Sequence, residues 1–144
     1  MKIGIANDHR GVKLKRKIVD YLHDHGYSCV NYGTNSDESV DYVDYAEKLC
    51  KCILKEEVTL GILICGTGIG MSIAANKING IRCARVTTEE DAKLAKEHNM
   101  ANVIAFGEDV KDYRKIVDAF IKTEYSSEPR HKRRVDKIMK LEGK

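Results

Sequence analysis

The sequence lacks the features of a membrane-bound, exported or metal-binding protein. No apolar run approaches the length that spans a bilayer, and the chain enters a strand at its first residues, without a signal peptide. The five cysteines are odd in number and show neither a Cys-x-x-Cys nor a His-rich spacing. We therefore expect a cytoplasmic protein with reduced thiols, no metal and no contact with a membrane.

A strong charge of one sign is also missing. The chain has 25 Lys and Arg against 22 Asp and Glu, and much of the excess of +3 lies in residues 130–137. This balance is too even for a general nucleic-acid-binding protein. No repeat, linker or low-complexity segment divides the sequence, so we expect a single domain over residues 1–144.

What the sequence does contain is a glycine-rich stretch, Leu60–Asn76, around which the chain is organised. Leu60–Ile64 is typical of a buried strand, the loop Cys65–Gly70 (CGTGIG) follows it directly, and helical spacing begins at Met71. Such an arrangement forms a cradle for an anion, because glycines let the backbone approach a ligand and the first helical N–H groups point at it. A cysteine at the edge of this cradle stands where a thiolate is favoured.

Met71 argues against the best-known versions of such a cradle. A dinucleotide-binding loop needs a glycine at this position, and a cysteine phosphatase needs an arginine there. The Gly-Lys-Ser/Thr of a P-loop is missing as well. A thiol beside backbone donors suits proton abstraction next to a carbonyl, with the donors holding the enediolate oxygens.

Strand and helix patterns alternate and predict an α/β protein with three layers, α/β/α, around a doubly wound, mainly parallel, five-stranded Rossmann-like sheet. The predicted strands are Lys2–Ala6, Ser28–Tyr32, Leu60–Ile64, Ile81–Val86 and Asn102–Phe106. Helices are predicted after Gly11 to about His25, over Asp41–Lys55, after Thr87 or Thr88, over Lys111–Lys122 and from Pro129 onwards. Cys29 and Cys83 fall within strand patterns and are expected in the core.

Polar residues follow three of the predicted strands. Asp8 and His9, then Gly33-Thr34, and then Cys65 with its loop stand at carboxyl ends, where parallel sheets bind ligands. We expect them to converge on one edge of the sheet. For His9, a hydrogen bond that only stabilises its own turn is an equally good interpretation.

His98 is expected at the opposite edge, because the helix that ends near it runs antiparallel to the strands. Either it faces the negative end of its helix dipole, or it serves the site of a second subunit packed across a two-fold axis. Arg130 and Arg134 lie four residues apart on one face of the last helix. They are either part of a solvated basic face or a pair that grips a phosphate.

In chain order, these motifs resemble the type B ribose-5-phosphate isomerases and the wider family that includes the galactose-6-phosphate and allose-6-phosphate isomerases. The resemblance covers nearly the whole chain, and the cysteine–glycine loop with its helix is the most specific part. The matching segments are Asp8-His9, Asp41-Tyr42, Cys65–Gly70, Ser72–Lys77, Gly80–Arg82, Glu97–Asn99, Ala101–Val103 and Arg130-His131 with Arg134.

The resemblance implies an aldose–ketose isomerase that interconverts D-ribose 5-phosphate and D-ribulose 5-phosphate through a cis-enediolate, in the non-oxidative pentose phosphate pathway. It implies no cofactor and no metal. It also implies a homodimer or a dimer of dimers with shared active sites, in which the C-terminal helix, about residues 129–142, packs at the dimer interface. A shared site gives His98 a functional role.

The resemblance also implies a role for each site residue. Cys65 would be the base that moves a proton between C2 and C1, and His98 would open the furanose ring, with Asp8 close by. The groups that would stabilise the enediolate are Thr67 and the amides of Gly66, Thr67, Gly68, Ile69 and Gly70. Asn99 would contact the sugar, and His9, Arg130 and Arg134 the phosphate.

Several residues depart from the family pattern. Arg10 follows the Asp-His pair where a small residue is usual, Val43 replaces a proline, and Met100 replaces an aspartate. The segment after Gly107 is shorter, and Asp109 replaces an arginine unless Arg114 takes that role. Two alternatives follow: an isomerase of a six-carbon sugar phosphate (allose 6-phosphate or galactose 6-phosphate), or a non-catalytic sugar-phosphate-binding protein.

Overall fold

A five-stranded sheet, parallel throughout, forms the middle layer of the computed structural model, which describes residues 1–143. Its strands are β1 (Lys2–Asn7), β2 (Ser28–Asn31), β3 (Leu60–Cys65), β4 (Cys83–Arg85) and β5 (Val103–Gly107), in the order β2-β1-β3-β5-β4. The helices are α1 (Val12–Asp24), α2 (Tyr42–Leu54), α3 (Ile69–Ala75), α4 (Glu89–Asn99), α5 (Tyr113–Lys122) and α6 (Pro129–Lys140). The predicted fold class is confirmed. Lys144, the last residue of the predicted domain, lies outside the described residues.

Each face of the sheet has its own core, because successive strand side chains point to opposite sides. Ile62 and Ile64 belong to one apolar cluster, which includes residues of α1 and α5. Leu63 and Cys65 belong to the other, which includes Leu49 of α2 and residues of α3. Cys65 therefore faces the layer that contains α2 and α3. None of the described helices is both long and apolar enough to cross a membrane.

The strand order reverses direction between β1 and β3. The chain crosses from β1 to β2 on one side and returns to β3 on the other side of β1. Asn7 pairs with Ile64, and Cys65 pairs with Gly107, so β1, β3 and β5 end close to one level. Parallel sheets open a crevice for ligands at such a reversal, outside the carboxyl ends of the strands.

Three predicted elements begin two residues away from the expected position, each for a local reason. Helix α3 begins at Ile69, two residues before Met71, because the left-handed Gly68 ends the loop earlier. Helix α5 begins at Tyr113 rather than Lys111, since Asp112 has a φ of 56°. Strand β4 is shorter than predicted.

Hydrogen-bond partners explain the ends of β4 and α4. The amide of Arg82 donates to the side chain of Asn102 at 2.8 Å, so the ladder of β4 begins only at Cys83. Of the two threonines predicted to cap α4, Thr88 is the N-cap, and its Oγ1 accepts from the Asp91 amide at 3.1 Å. Negative charge in that first turn suits the helix dipole.

The cysteines are all free, and their burial links stability to alkaline pH. Cys50 is fully buried, whereas Cys29 and Cys83 are half-buried beside the cores rather than inside them. Burial raises the pKa of Cys50 and Cys83 to about 12 and that of Cys29 to about 11, from an ordinary value of 9. Between pH 9 and these values the unfolded chain has lost thiol protons that the folded chain keeps, so stability falls as pH rises.

Lys15 changes the pH dependence of stability in the opposite direction to the thiols. Its side chain is 1% exposed, and burial lowers its pKa from 10.5 to about 8. Between these values the unfolded chain binds a proton that the folded chain has released, so this lysine makes stability rise with pH. Burial lowers the pKa of Lys96 as well, so two lysines oppose the three thiols, and we expect a net loss of stability above pH 9.

Urea unfolding under reducing conditions at several pH values between 9 and 11 checks this expectation. Replacement of Cys50 by Ala removes one buried thiol and should make the decline shallower by about 1 kcal/mol per pH unit. The slope is the decisive quantity, because the cavity left by the substitution lowers stability equally at every pH. If the free energy of unfolding fell equally steeply with pH in the unmodified protein and in Cys50→Ala, the raised pKa of Cys50 would be wrong.

Candidate active site

Cys65 ends β3 with its sulfur beneath the glycine loop. The residue is 5% exposed, and its Sγ accepts the N–H of Gly68 at 3.2 Å. The thiol thus has a fixed position and a donor aimed at it, which suits a group that carries negative charge when it acts as a base. The predicted position of Cys65 at the carboxyl edge of the sheet is where the structure places it.

The loop after Cys65 lies directly against the end of β5. A Cβ atom on Gly68 would stand 2.6 Å from the Cα of Phe106, and the φ of Gly68 is +79°. A Cβ on Gly107 would stand 2.8 Å from the carbonyl oxygen of Gly66. Glycine at both positions lets the backbones of the loop and of β5 meet closely.

Gly68→Ala should therefore destabilise the fold and disturb the thiol. The left-handed conformation alone costs a side chain about 1–2 kcal/mol, and overlap with the backbone of Phe106 adds roughly 1–3 kcal/mol. Gly26→Ala is the matched control, because Gly26 has the same φ of +79° but no atom within 4 Å of the added Cβ. Urea unfolding should show a clearly larger loss for Gly68→Ala, and equal losses would contradict the close contact.

Thr67 and Gly70 complete the loop. Thr67 accepts the Ile69 amide on its Oγ1 at 3.1 Å, so its hydroxyl hydrogen remains available for a ligand. Gly70 lies in the first turn of α3, where a helix has no internal acceptor for its N–H groups. The ring of Tyr42 covers Gly70, since a Cβ there would come within 2.6 Å of ring carbons. The sequence places Tyr42 only within a matching motif, and the structure adds that its ring lies beside the loop, which makes it a further candidate site residue.

Asp8 and His9 lie beside this loop, as predicted. The Asp8 amide donates to the carbonyl of Ile64 at 3.2 Å, which ties the end of β1 to β3. The carboxylate of Asp8 is 5% exposed and accepts the Arg10 amide at 2.9 Å. His9 accepts the Val40 amide on Nδ1 at 3.2 Å, so in its neutral form the proton is on Nε2. Backbone groups therefore hold Asp8 and His9 in place where the strand order reverses, between β1 and β3.

Gly33-Thr34, the third polar segment that follows a predicted strand, also lies against the end of β1. The Thr34 amide approaches the carbonyl of Asn7 at 3.4 Å, and a Cβ on Gly33 would overlap the side chain of Asn7. All three segments that were predicted to converge are therefore found at one edge of the sheet.

Two pockets lie at this edge of the sheet, and the second of them includes residues of the glycine loop. One, of about 500 Å³, is lined by His9, Arg10 and residues of α1, and the other, of about 400 Å³, is lined by Thr67 and Asp109.

Arg114 lies away from these pockets. Its guanidinium lies over the rings of Tyr21 and Tyr113, 5.9 and 5.2 Å from their centroids. Arg114 therefore does not take the place of the missing arginine within this subunit, and Asp109 stands near the loop.

His98, Asn99, Arg130 and Arg134 are grouped at the opposite edge of the sheet. The imidazole of His98, in α4, stacks on that of His131, in α6, with ring centroids 4.1 Å apart and an interplanar angle of 7°. Desolvation, together with the cations around it, lowers the pKa of His131. Asn99 lines a separate pocket of about 720 Å³ that also contains Ile138. Arg130 and Arg134 are exposed, and Arg130 pairs with Glu128 at 3.1 Å.

The length of β3 separates this group from Cys65. The amide of Gly61, at the start of β3, donates to the carbonyl of Asn102 at 2.9 Å, and Asn102 follows the end of α4 closely. Cys65 lies four residues further along the strand, which at 3.3 Å per residue is about 13 Å. One subunit alone does not bring His98 to the thiol. Within residues 1–143, no group of three or more His, Cys, Asp or Glu side chains is placed to hold a metal ion.

The fold and the loop define a class of protein: an α/β protein with a candidate small-molecule site at the carboxyl edge, where a thiol lies beside backbone N–H donors. Comparison with known proteins defines it further. The family model described as Ribose/Galactose Isomerase matches residues 3–138. Ribose-5-phosphate isomerase B of Escherichia coli is 42% identical over 144 residues, which cover 98% of this chain and 96% of that protein.

Solved structures agree. A ribose-5-phosphate isomerase B of Clostridium thermocellum superimposes with a TM-score of 0.95 at 46% identity, covering 99% of this chain and 98% of that one. The ribose-5-phosphate isomerase B of Mycoplasma genitalium, crystallised with bound ribulose-5-phosphate, gives a TM-score of 0.92 at 39% identity, with 99% and 97% coverage. This chain belongs to the ribose/galactose isomerase family.

Proposed function

We propose that this protein is an isomerase that interconverts D-ribose 5-phosphate and D-ribulose 5-phosphate. The observation that carries the proposal is the Cys65 thiol, held by the Gly68 amide at 3.2 Å beneath a loop of backbone donors. A protein of this family with that arrangement has the base and the oxyanion donors that proton transfer beside a carbonyl requires. No step of this reaction calls for an external oxidant or reductant.

In the proposed reaction the Cys65 thiolate takes the proton from C2 of the open-chain aldose and returns it to C1 of the enediolate, while the hydroxyl proton passes from O2 to O1, which gives the ketose. The enediolate oxygens would be stabilised by the Thr67 hydroxyl and by the amides of the loop, each donor contributing about 3 kcal/mol. The pocket beside His9 would receive the phosphate end of the substrate. Asp8 would stand beside the sugar.

A homodimer with shared sites, alone or as half of a dimer of dimers, supplies the remaining groups in our proposal. His98 would enter from the partner subunit to open the furanose ring, with Asn99 on the sugar and Arg130 and Arg134 on the phosphate. Two observations support this: the group that contains His98 lies near the start of β3, about 13 Å of strand before Cys65 in one subunit, and apolar side chains are exposed beside the loop. Those side chains are Tyr42 at 39%, Val43 at 49%, Ile69 at 47% and Ile73 at 59%.

A six-carbon sugar phosphate is the second candidate substrate, and Asp109 is the observation that favours it. This carboxylate lines the pocket beside Thr67, where a hydroxyl of a longer sugar would find an acceptor. The values of kcat/KM for ribose 5-phosphate, allose 6-phosphate and galactose 6-phosphate decide between the candidates.

The experiment that tests the proposal is incubation with ribose 5-phosphate in heavy water, followed by NMR of the sugar. We expect ribulose 5-phosphate to accumulate and solvent deuterium to appear at C2 of the aldose and at C1 of the ketose. A protein that binds the sugar but produces neither ketose nor exchange would not be a pentose isomerase. Repetition with allose 6-phosphate would then separate a six-carbon isomerase from a non-catalytic sugar-phosphate-binding protein.

A further inference from the structure

We propose that Arg10 is a substrate-binding residue of this chain, and that its guanidinium holds the phosphate of the substrate in the pocket beside His9. The inference deepens the proposed function and rests on it, because the substrate proposed there is a sugar phosphate. The sequence leaves two roles open for Arg10, which replaces a small residue of the family: a further cation near the phosphate, or a side chain that points to solvent.

The backbone of Arg10 is held beside the candidate site. It lies in the short 3₁₀ turn His9–Gly11, and its amide donates to the carboxylate of Asp8 at 2.9 Å. The side chain runs from this turn to the glycine loop. Its Cζ and Nη1 atoms stand 3.9 Å from the point that a Cβ of Gly66 would occupy. The cation is therefore placed between the Asp8-His9 turn and the residue that follows Cys65.

Glu108 holds the guanidinium from the far side. Nε of Arg10 donates to Oε2 of Glu108 at 2.6 Å, which joins the end of β1 to the end of β5 across 98 residues of sequence. Only Nε is used: Nη1 and Nη2 have no hydrogen-bond partner within the part of the chain that the structure describes. An arginine fixed through Nε presents its two remaining nitrogens in a set direction, the geometry that bidentate phosphate binding needs.

The charge of the surrounding pocket favours an anion. The cavity of about 500 Å³ that contains Arg10 is lined by three permanent cations, Arg10, Lys13 and Arg16, and by two carboxylates, of which Glu108 is already paired with Arg10. The same Glu108, with smaller effects of Asp8 and Asp109, raises the pKa of Arg10, so the cation is constant. Without Arg10, these carboxylates would repel a phosphate dianion from the loop.

Binding of inorganic phosphate, measured by isothermal titration, tests the proposal without requiring turnover. Arg10→Gln should weaken phosphate binding about tenfold and raise KM for ribose 5-phosphate by a similar factor, with kcat within about twofold. Glu108→Gln should change phosphate binding less than about threefold, because its amide oxygen still accepts from Nε. The control is Lys51→Gln, an equal change in net charge on α2, where the lysine forms an ion pair with Glu47 on the same helix.

The outcomes separate the two proposals. Phosphate binding that is absent in the unmodified protein, or equal in it and in Arg10→Gln, overturns the role of Arg10. A loss of kcat with KM unchanged also overturns it, since the residue would then act on the chemistry. Weaker phosphate binding in Arg10→Gln, in a protein that isomerises no sugar phosphate, supports Arg10 and refutes the proposed function.

Discussion

Replacement of Cys65 by alanine is expected to abolish isomerisation while the substrate still binds. The thiol is the base in the proposed reaction, and loss of a positioned base costs about 10²–10⁴-fold in rate. Its removal takes away little of the binding surface, because Cys65 is 5% exposed and the loop amides belong to the backbone. Turnover of ribose 5-phosphate and exchange of the C2 proton should both fall, whereas inorganic phosphate should bind as before.

A second cysteine provides the control for this experiment. Cys52, in α2, is a half-buried thiol outside the loop, so Cys52→Ala tests whether loss of any thiol reduces the rate. We expect Cys52→Ala to keep nearly full turnover. A Cys65→Ala protein with a near-normal rate would show that another group takes the proton, and the proposed mechanism would then be wrong.

The fold was predictable because the sheet is buried on both faces and its signals are local. Short apolar runs such as Leu60–Ile64 correspond to strands, and helical spacing between them implies parallel crossovers. The helix and strand ends that differ from the prediction depend on the conformation or hydrogen bonds of single residues, which the hydrophobic periodicity of the sequence does not reveal. Asp112 in the left-handed region and the Asn102 side chain that ends β4 are examples, because each acts through one residue.

The half of the candidate site at the carboxyl edge was predictable for a similar reason. Asp8, His9 and Cys65 each follow a strand directly, and a parallel sheet brings such residues to one edge. The place of Tyr42 over Gly70 was not predictable, since it depends on how α2 packs against α3. The bond between Arg10 and Glu108 joins residues far apart in the chain, and only the structure brings them together.

Mixing two inactive variants is the prediction that bears on the shared site. In the proposed dimer, each site takes Cys65 from one subunit and His98 from its partner. A heterodimer of Cys65→Ala and His98→Ala subunits would then contain one site with both changes and one site with neither. Since half of a random mixture is heterodimer, activity should return to about a quarter of the unmodified level. The measurement is turnover of ribose 5-phosphate before and after the two variants are dissociated and reassembled together.

The opposite architecture makes the opposite prediction. If each subunit carried a complete site, every subunit of the mixture would lack one of the two groups, and activity would stay at the sum of the separate variants. The control mixes Cys65→Ala with a protein that carries both changes, because no pairing of those subunits restores Cys65. Recovery in the first mixture and none in the second would be expected only if His98 crosses the interface. The position of this histidine at the amino-terminal edge of its own sheet would then have a functional reason, since the two-fold axis would carry it to the carboxyl edge of the partner.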